Sequence, residues 1–247
     1  ALSAGRHFLV AKPLAPTLAE AERLARAAHA ADRVVAVAQQ MRWFGCFRLL
    51  RRMIAEGQLG TVRVVIVRMQ LDGRGWLPGI EWRLQLEDPL LTEAGIHHFD
   101  LLRFVLGEEL EAVDGARWRA TNSPFHGLDS TSLHLRSYAG ADVFYSASFA
   151  PDPDPPIRFD SGWDVIGTDG TARVRDGGVR LEQKGGKFFT VRREDSAPEP
   201  LEILNARLVG ELIRDLDAGA RPSVDIADNL LTMQLLDSAL RVGAKDG

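Results

Sequence analysis

Short apolar runs and one amphipathic segment alternate along the first forty residues. Residues 7–11 and 34–38 are the apolar runs, and runs of this kind predict buried strands. Between them, Thr17 and Glu20 have the spacing of a capping box, in which Thr17 caps a helix and Glu20 reaches back toward it. The alanine-rich segment that follows predicts that helix. Strand–helix–strand is the unit from which parallel sheets are built.

Longer elements are predicted in the middle of the chain. Residues 47–56 predict a helix that ends at Gly57, and the valine-rich residues 61–71 predict a long strand. Residues 72–88 contain scattered glycine and proline and predict a loop. Residues 92–106 predict a further helix.

The pattern changes after Gly107. Short segments of strand composition follow, and tight turns join several of them, which predicts a largely antiparallel sheet. The seven segments are residues 110–120, 130–138, 143–149, 158–168, 171–175, 179–183 and 188–193. Residues 152–156, Asp-Pro-Asp-Pro-Pro, predict a stiff connector, and two helices at about residues 201–218 and 226–242 close the chain.

The predicted fold class is therefore α/β of the α+β kind. Residues 1–44 are predicted to form part of a parallel sheet with its helix. Residues 45–247 are predicted to form a second domain, built on a large, mostly antiparallel open sheet with flanking helices.

Composition excludes several classes of protein. The net charge of −4 gives no reason to expect nucleic acid or an anionic membrane surface as a partner. Cys46 is the sole cysteine, which rules out an internal disulfide and favours a reducing compartment. No run approaches the roughly 18 apolar residues of a membrane span, and residues 1–10 have no signal-peptide pattern. The expected location is the cytoplasm.

Lysine is scarce, although the chain has 30 basic residues. The lysines are Lys12, Lys184, Lys187 and Lys245. Arginine keeps its proton in proteins, whereas a desolvated lysine can release it. Lys12, the one lysine among the first 183 residues, is therefore a lysine either for a chemical reason or by chance in an arginine-rich chain.

The segment that opens the predicted helix at 92–106 has the pattern of a reactive site. Thr92 is its candidate N-cap. Glu93, His97 and Asp100 stand at positions i, i+4 and i+7, which is one face of a helix. Ionisable groups beside a core must be paired or line a cavity, so this face predicts a cleft. The plainer alternative is a solvated first turn with one buried histidine. His98 points away from this face and is expected to be structural.

These groups suit proton transfer. Oxidising an alcohol with a nicotinamide removes a hydride from carbon and a proton from oxygen, and the protein must handle the proton. Histidine is the usual base for such a step, a carboxylate can orient it, and a lysine can polarise the substrate oxygen.

The order of motifs resembles the Gfo/Idh/MocA oxidoreductase family. Lys12-Pro13 stands where the family has Glu-Lys-Pro at the end of a Rossmann strand, and Gly95 to Asp100 matches its Gly-x-His-x-x-Asp helix. Further matches are Arg42 after the second strand, Ile166-Gly-Thr-Asp-Gly-Thr171 in the sheet, and Arg221-Pro-Ser-Val-Asp-Ile-Ala-Asp-Asn229 before the last helix. The resemblance covers nearly the whole chain.

The resemblance implies roles for individual residues. Lys12 would lie beside the nicotinamide and the reacting hydroxyl, with Pro13 and Arg42 also at the cofactor. His97 would be the general acid/base, and Glu93, where the family usually has aspartate, would bind substrate and steer His97. Arg42 and Asp100 are further candidates for substrate binding, although Asp100 could instead brace the helix and Arg42 could be a surface residue. Trp76 and Trp82 could wall the pocket or simply pack.

The implied protein is an NAD- or NADP-dependent oxidoreductase of a sugar or polyol such as an inositol, and a homo-oligomer through its large sheet. Two departures count against cofactor binding. Ala11 replaces the family glutamate, and no Gly-x-Gly-x-x-Gly turn opens a helix here. The first strand would correspond to the fourth Rossmann strand, so the chain is expected to be an N-terminally truncated member with an incomplete cofactor site.

Two other functions are kept open. The first is a non-catalytic binding or oligomerisation module of the same family, favoured by the two departures. The second is a metal-dependent lyase or hydrolase that uses Glu93, His97, His98 and Asp100, since Glu and His at i and i+4 can share a metal.

Overall fold

Two sheets of unequal size organise the chain. The computed structural model describes residues 1–73, 81–150, 157–191 and 199–243. The connector predicted at residues 152–156 and Trp76 lie outside the described residues. In the described part of the chain, no helix has the length and apolarity needed to cross a bilayer.

The smaller sheet is the predicted strand–helix–strand unit. Strand β1 (Phe8–Val10) runs parallel to β2 (Val35–Val37), and helix α1 (Leu18–Ala30) connects them. Thr17 caps α1 by accepting a hydrogen bond from the Glu20 backbone N–H at 3.3 Å. The Glu20 carboxylate reaches back to the Thr17 hydroxyl, 3.1 Å away. The predicted parallel pair and its cap are confirmed.

The larger sheet has eight strands in the order β10-β9-β8-β7-β3-β6-β5-β4. The long strand β3 lies inside it, parallel to β6 and antiparallel to β7, and every other neighbouring pair is antiparallel. Its strands are β3 (Val62–Gln70), β4 (Leu110–Trp118), β5 (Ser130–Ser137), β6 (Asp142–Ser148), β7 (Trp163–Gly167), β8 (Gly170–Arg175), β9 (Gly178–Gln183) and β10 (Lys187–Val191). The predicted fold class is confirmed.

One face of the large sheet is buried against helices and the other is open. Alternate residues along β5 and β6 are buried, as expected for a sheet with one packed face. Three helices contribute buried residues to this core: α2 (Gly45–Ala55), α3 (Ile96–Leu106) and α5 (Ile226–Arg241). Helix α4 (Leu201–Asp217) packs on the turn after β2. The open face keeps Phe144 about half exposed.

The start of the predicted helix at 92–106 differs from expectation. A π-helical turn, Leu91–Gly95, precedes α3, and the Ile96 N–H donates to the Leu91 carbonyl five residues back. Thr92 is inside that turn, where its hydroxyl donates to the Asp88 carbonyl at 2.7 Å. The prediction that Thr92 is the N-cap was therefore wrong, because residues 89 and 90 are already helical. Its end at Gly107, with a left-handed φ of 72°, is as predicted.

The segment predicted as a loop contains regular structure. Glu81–Gln85 forms a 3-10 helix, which glycine and proline content alone did not indicate. The predicted strand over 158–168 is shorter, since β7 begins at Trp163 and the residues before it form turns. The first of these differences has consequences for the site.

Candidate active site

Lys12 follows the end of β1 and reaches the start of the long helix. Its ammonium donates to the Glu93 backbone carbonyl at 2.7 Å and lies 3.4 Å from the Glu93 carboxylate. The Lys12–Pro13 peptide bond is cis. Burial lowers the pKa of Lys12 below its ordinary value, and the Glu93 carboxylate opposes part of that shift.

Glu93 lies between two cations. Besides Lys12, the Arg83 guanidinium donates to its carboxylate at 2.7 Å. Arg83 comes from the 3-10 helix Glu81–Gln85, and its guanidinium covers the ring of Trp82, 4.7 Å from the centroid. Trp82 remains more than half exposed. Sequence reasoning missed Arg83 because nothing in a predicted loop pointed to Glu93.

His97 is buried one turn further along the helix. The imidazole is 4% exposed, and its Nδ1 lies 2.8 Å from the side-chain oxygen of Gln39. Phe159 presents its ring to the imidazole at 5.9 Å between centroids. Burial, the positive charge of Lys12 and neighbouring His98 all lower the pKa of His97 well below its ordinary value. The ring is therefore neutral at pH 7, and it lies within electrostatic reach of the ammonium.

Asp100 belongs to a separate hydrogen-bonded network that is more deeply buried. The Arg42 guanidinium grips both of its carboxylate oxygens at 2.6 Å, and the Thr232 hydroxyl donates to it at 3.1 Å. Arg42 also donates to Asp228 at 2.5 Å and to the Ser223 carbonyl at 2.6 Å. Burial alone would lower the pKa of Arg42, but Asp100 and Asp228 outweigh it and raise that pKa.

This geometry separates the residues that the sequence grouped. Lys12, Glu93 and His97 come together, whereas Arg42 and Asp100 satisfy each other with 5% and 1% of their side chains exposed. A substrate role for this pair stays a prediction that the geometry does not favour, since their hydrogen-bonding groups are used inside the protein. Bracing of the helix, the other role considered for Asp100, fits these contacts.

The partners of Arg42 carried a signal in the sequence. Two of them, Ser223 and Asp228, belong to the motif at residues 221–229, which leads into the last helix. Asp225 caps α5 by accepting from the Asp228 N–H at 2.9 Å. Asp228 in turn bridges Arg42 and Arg103. The motif therefore ties α5 to the turn after β2.

His98 lies in the core, as expected. Its Nδ1 is 3.2 Å from the Tyr145 hydroxyl, and its ring lies against Phe159 at 4.1 Å between centroids. Burial lowers the pKa of His98 to about 3. Among the described residues, no group of three or more histidine, cysteine, aspartate or glutamate side chains is placed to hold a metal ion.

A family model agrees with this architecture. The model described as GFO/IDH/MocA C-terminal domain matches residues 47–173. The chain belongs to the GFO/IDH/MocA family.

Relatives within the GFO/IDH/MocA family are longer than this chain. D-apiose dehydrogenase of Rhizobium rhizogenes is 26% identical over 94% of the chain and 69% of its own length. The 1,5-anhydro-D-fructose reductase of Ensifer adhaerens is 33% identical over 83% of the chain and 60% of its own length. The scyllo-inositol 2-dehydrogenase (NADP+) of Bacillus subtilis is 22% identical over 97% and 70%.

Solved structures of similar proteins share the fold. An oxidoreductase from Agrobacterium radiobacter, in complex with NAD+, L-tartaric acid and magnesium, superposes with a TM-score of 0.88 at 22% identity, over 100% of this chain and 73% of that one. An inositol dehydrogenase homolog from Azotobacter vinelandii, in complex with NADH and myo-inositol, gives 0.78 at 23% identity, over 99% and 72%.

The residues after the two short strands suit the reactive end of a nicotinamide cofactor. Ligands of open parallel sheets bind in the crevice outside the carboxyl ends of the strands, and Lys12, Pro13 and Gln39 all follow such ends. The side-chain nitrogen of Gln39 is buried without a hydrogen-bond partner among the described residues. The sequence holds no glycine-rich turn that would cradle the pyrophosphate.

We expect Arg42→Met to destabilise the protein strongly, because it leaves the buried Asp100 carboxylate without its cation. Removing one partner of a buried pair costs about 3–5 kcal/mol in the free energy of unfolding. Urea unfolding measures the loss. Arg136→Met is the matched control, since Arg136 pairs with Asp142 at the surface and exposed pairs contribute about 0–1 kcal/mol. Equal losses in both variants would contradict the structural role of Arg42.

We also expect buried His98 to make stability fall at acid pH. Its folded-state pKa of about 3 lies below that of the unfolded chain, near 6.5. Between these values the unfolded state binds the extra proton, so the free energy of unfolding decreases as pH falls, by about 1.4 kcal/mol per unit. Urea unfolding of His98→Phe between pH 4 and 6 is expected to show a slope smaller by that amount. An unchanged slope would mean that folded His98 titrates normally.

Proposed function

We propose that this chain supplies the catalytic and substrate-binding part of an NAD- or NADP-dependent oxidoreductase that acts on a sugar or polyol. The observation that carries the proposal is the meeting of Lys12 and His97 around Glu93, at the carboxyl ends of two parallel strands. The names of the relatives, which include dehydrogenases of D-apiose and of inositols, support the substrate class.

The bound nicotinamide would accept or return the hydride. The residues of this chain handle the proton. Neutral His97 takes the proton of the substrate hydroxyl as a general base, which requires an imidazole that is uncharged at working pH. Its lowered pKa keeps the imidazole uncharged at pH 7 and also makes it a weaker base.

Lys12 provides the positive charge for the oxygen that loses this proton. Its ammonium is held by the Glu93 carbonyl at 2.7 Å and by the Glu93 carboxylate at 3.4 Å, which fixes its position. Developing negative charge on the substrate oxygen is stabilised by a fixed cation in a site of low dielectric constant. Glu93, shared with Arg83, sets the position of Lys12 and can accept a hydrogen bond from a second substrate hydroxyl.

The second candidate function is a non-catalytic binding or oligomerisation module. Ala11 and the lack of a glycine-rich turn favour it, and the half-exposed Phe144 and Trp118 on the open sheet face offer a surface for a second copy. Cofactor binding separates the two functions, because a module that has lost catalysis has no reason to bind a nicotinamide.

Replacing His97 by alanine is expected to lower kcat by about 10²–10⁴-fold, the usual contribution of a positioned acid or base. The assay is NAD+- or NADP+-dependent oxidation of D-apiose, myo-inositol and scyllo-inositol, with NADH and NADPH binding followed by fluorescence. His29→Ala, on the outer end of α1, is the matched control and should keep wild-type activity. Because this sequence holds no glycine-rich turn for the pyrophosphate, the assay is run with the N-terminal half of a Rossmann domain of this family supplied. Failure of that combination to bind either cofactor, or full activity in His97→Ala, would contradict the proposal.

Lys12→Arg distinguishes the two explanations for the lone lysine. If the ammonium acts in the reaction, arginine keeps the charge but not the compact donor or the ability to release a proton, and kcat should fall by at least about 10²-fold. Lys184→Arg, in the turn between β9 and β10, should leave kcat unchanged. Wild-type kinetics in both variants would favour chance over chemistry at position 12.

A further inference from the structure

Gln39 is a buried polar residue with an unusual setting. It stands two residues after β2, and its backbone N–H donates to the Val37 carbonyl at 2.8 Å. The side chain is 1% exposed. Burying an amide costs free energy unless it is hydrogen-bonded. Among the described residues, the side chain of Gln39 makes its hydrogen bond to His97 Nδ1, at 2.8 Å.

The direction of that hydrogen bond decides what His97 can do. A neutral imidazole has one N–H and one lone pair. If the Gln39 oxygen accepts from Nδ1–H, then Nε2 carries the lone pair and can receive a proton. If the Gln39 nitrogen donated instead, Nε2 would carry the hydrogen and could only give it away.

The surroundings of His97 keep the ring neutral, so its tautomer is the variable that matters. Lys12 faces it from the segment after β1, and His98 is its neighbour on α3. Glu93, one turn earlier, is engaged by Lys12 and Arg83. Phe159 contributes an apolar ring. None of these groups accepts a hydrogen bond from Nδ1 in the structure, which leaves that task to Gln39.

We infer that Gln39 is a positioning residue: its side-chain oxygen holds the hydrogen of His97 on Nδ1 and so presents the Nε2 lone pair to the substrate hydroxyl. The inference rests on the proposed function. In the oxidation, the hydroxyl O–H bond breaks and its proton goes to Nε2, and a bound nicotinamide would take the hydride from the same carbinol carbon. The resulting imidazolium keeps its Nδ1–H bonded to Gln39.

The tautomer can be measured without any turnover. In the full chain labelled with ¹⁵N-histidine, two-bond ¹H–¹⁵N spectra at pH 7.5 distinguish the two neutral forms, and the His97 signals are those missing from His97→Ala. We expect the Nδ1–H form in the wild type. In Gln39→Met, which keeps the length but removes the acceptor, we expect the ring to shift toward the Nε2–H form.

Gln39→Glu tests the same bond from the other side. A carboxylate still accepts from Nδ1–H, so the tautomer should be retained, and the pKa of His97 should rise by about 1–3 units because a negative charge favours the imidazolium. The acid limb of the pH–kcat/KM profile should move up with it. If Gln39 only filled space, Gln39→Met and Gln39→Glu would not have these different effects on the His97 tautomer.

Gln40→Met is the matched control, since Gln40 is the next residue and should leave the His97 tautomer and kcat unchanged. If Gln39→Met fails to fold, the wild-type tautomer and Gln39→Glu still decide. An Nε2–H ring in the wild type, or an unaltered Nδ1–H ring in Gln39→Met, overturns the inference. If the tautomer behaves as expected but the wild-type chain, supplied with the N-terminal half of the Rossmann domain, oxidises none of the sugars or polyols, the positioning of the ring stands and the proposed function fails.

Discussion

Polar pairings across one interface hold the candidate site together. Three ionisable residues of α3 and of the turn before it find partners in the segments that follow β1 and β2. The pairs are Lys12 with Glu93, Gln39 with His97, and Arg42 with Asp100. Groups of this kind are costly to bury alone, so the helix and the small sheet are fixed in one relative position.

The three pairings differ in what they leave free. Arg42 and Asp100 use their hydrogen-bonding groups on each other and on α5, so they act as an anchor. Lys12 is held mainly through a backbone carbonyl, and His97 uses one ring nitrogen for Gln39. Lys12 and His97 therefore keep hydrogen-bonding groups that could meet a ligand, whereas Arg42 and Asp100 use theirs to hold the interface rigid.

Sequence patterns predicted much of this arrangement. Local signals sufficed for the strand–helix–strand start, the antiparallel meander and the helix that carries His97, because strand and helix periodicity and turn residues are properties of neighbouring positions. They did not reveal Gln39 or Arg83. Both act on partners brought near by the fold, Gln39 across 58 positions of the chain, and a glutamine after a strand resembles any other polar residue at a turn. The π-helical turn was also missed, since residues 91–95 have no composition that distinguishes it from an α-helix.

Because of that π-helical turn, the angle about the helix axis between Glu93 and His97 differs from the angle in a regular α-helix. One extra residue per turn shifts everything before it by about 100° relative to a regular α-helix. A regular α-helix over residues 91–95 would therefore aim the Glu93 carboxylate in a different direction relative to His97. In the proposed function, the groups that would bind substrate and transfer the proton therefore lie on two parts of one helix that can be changed independently.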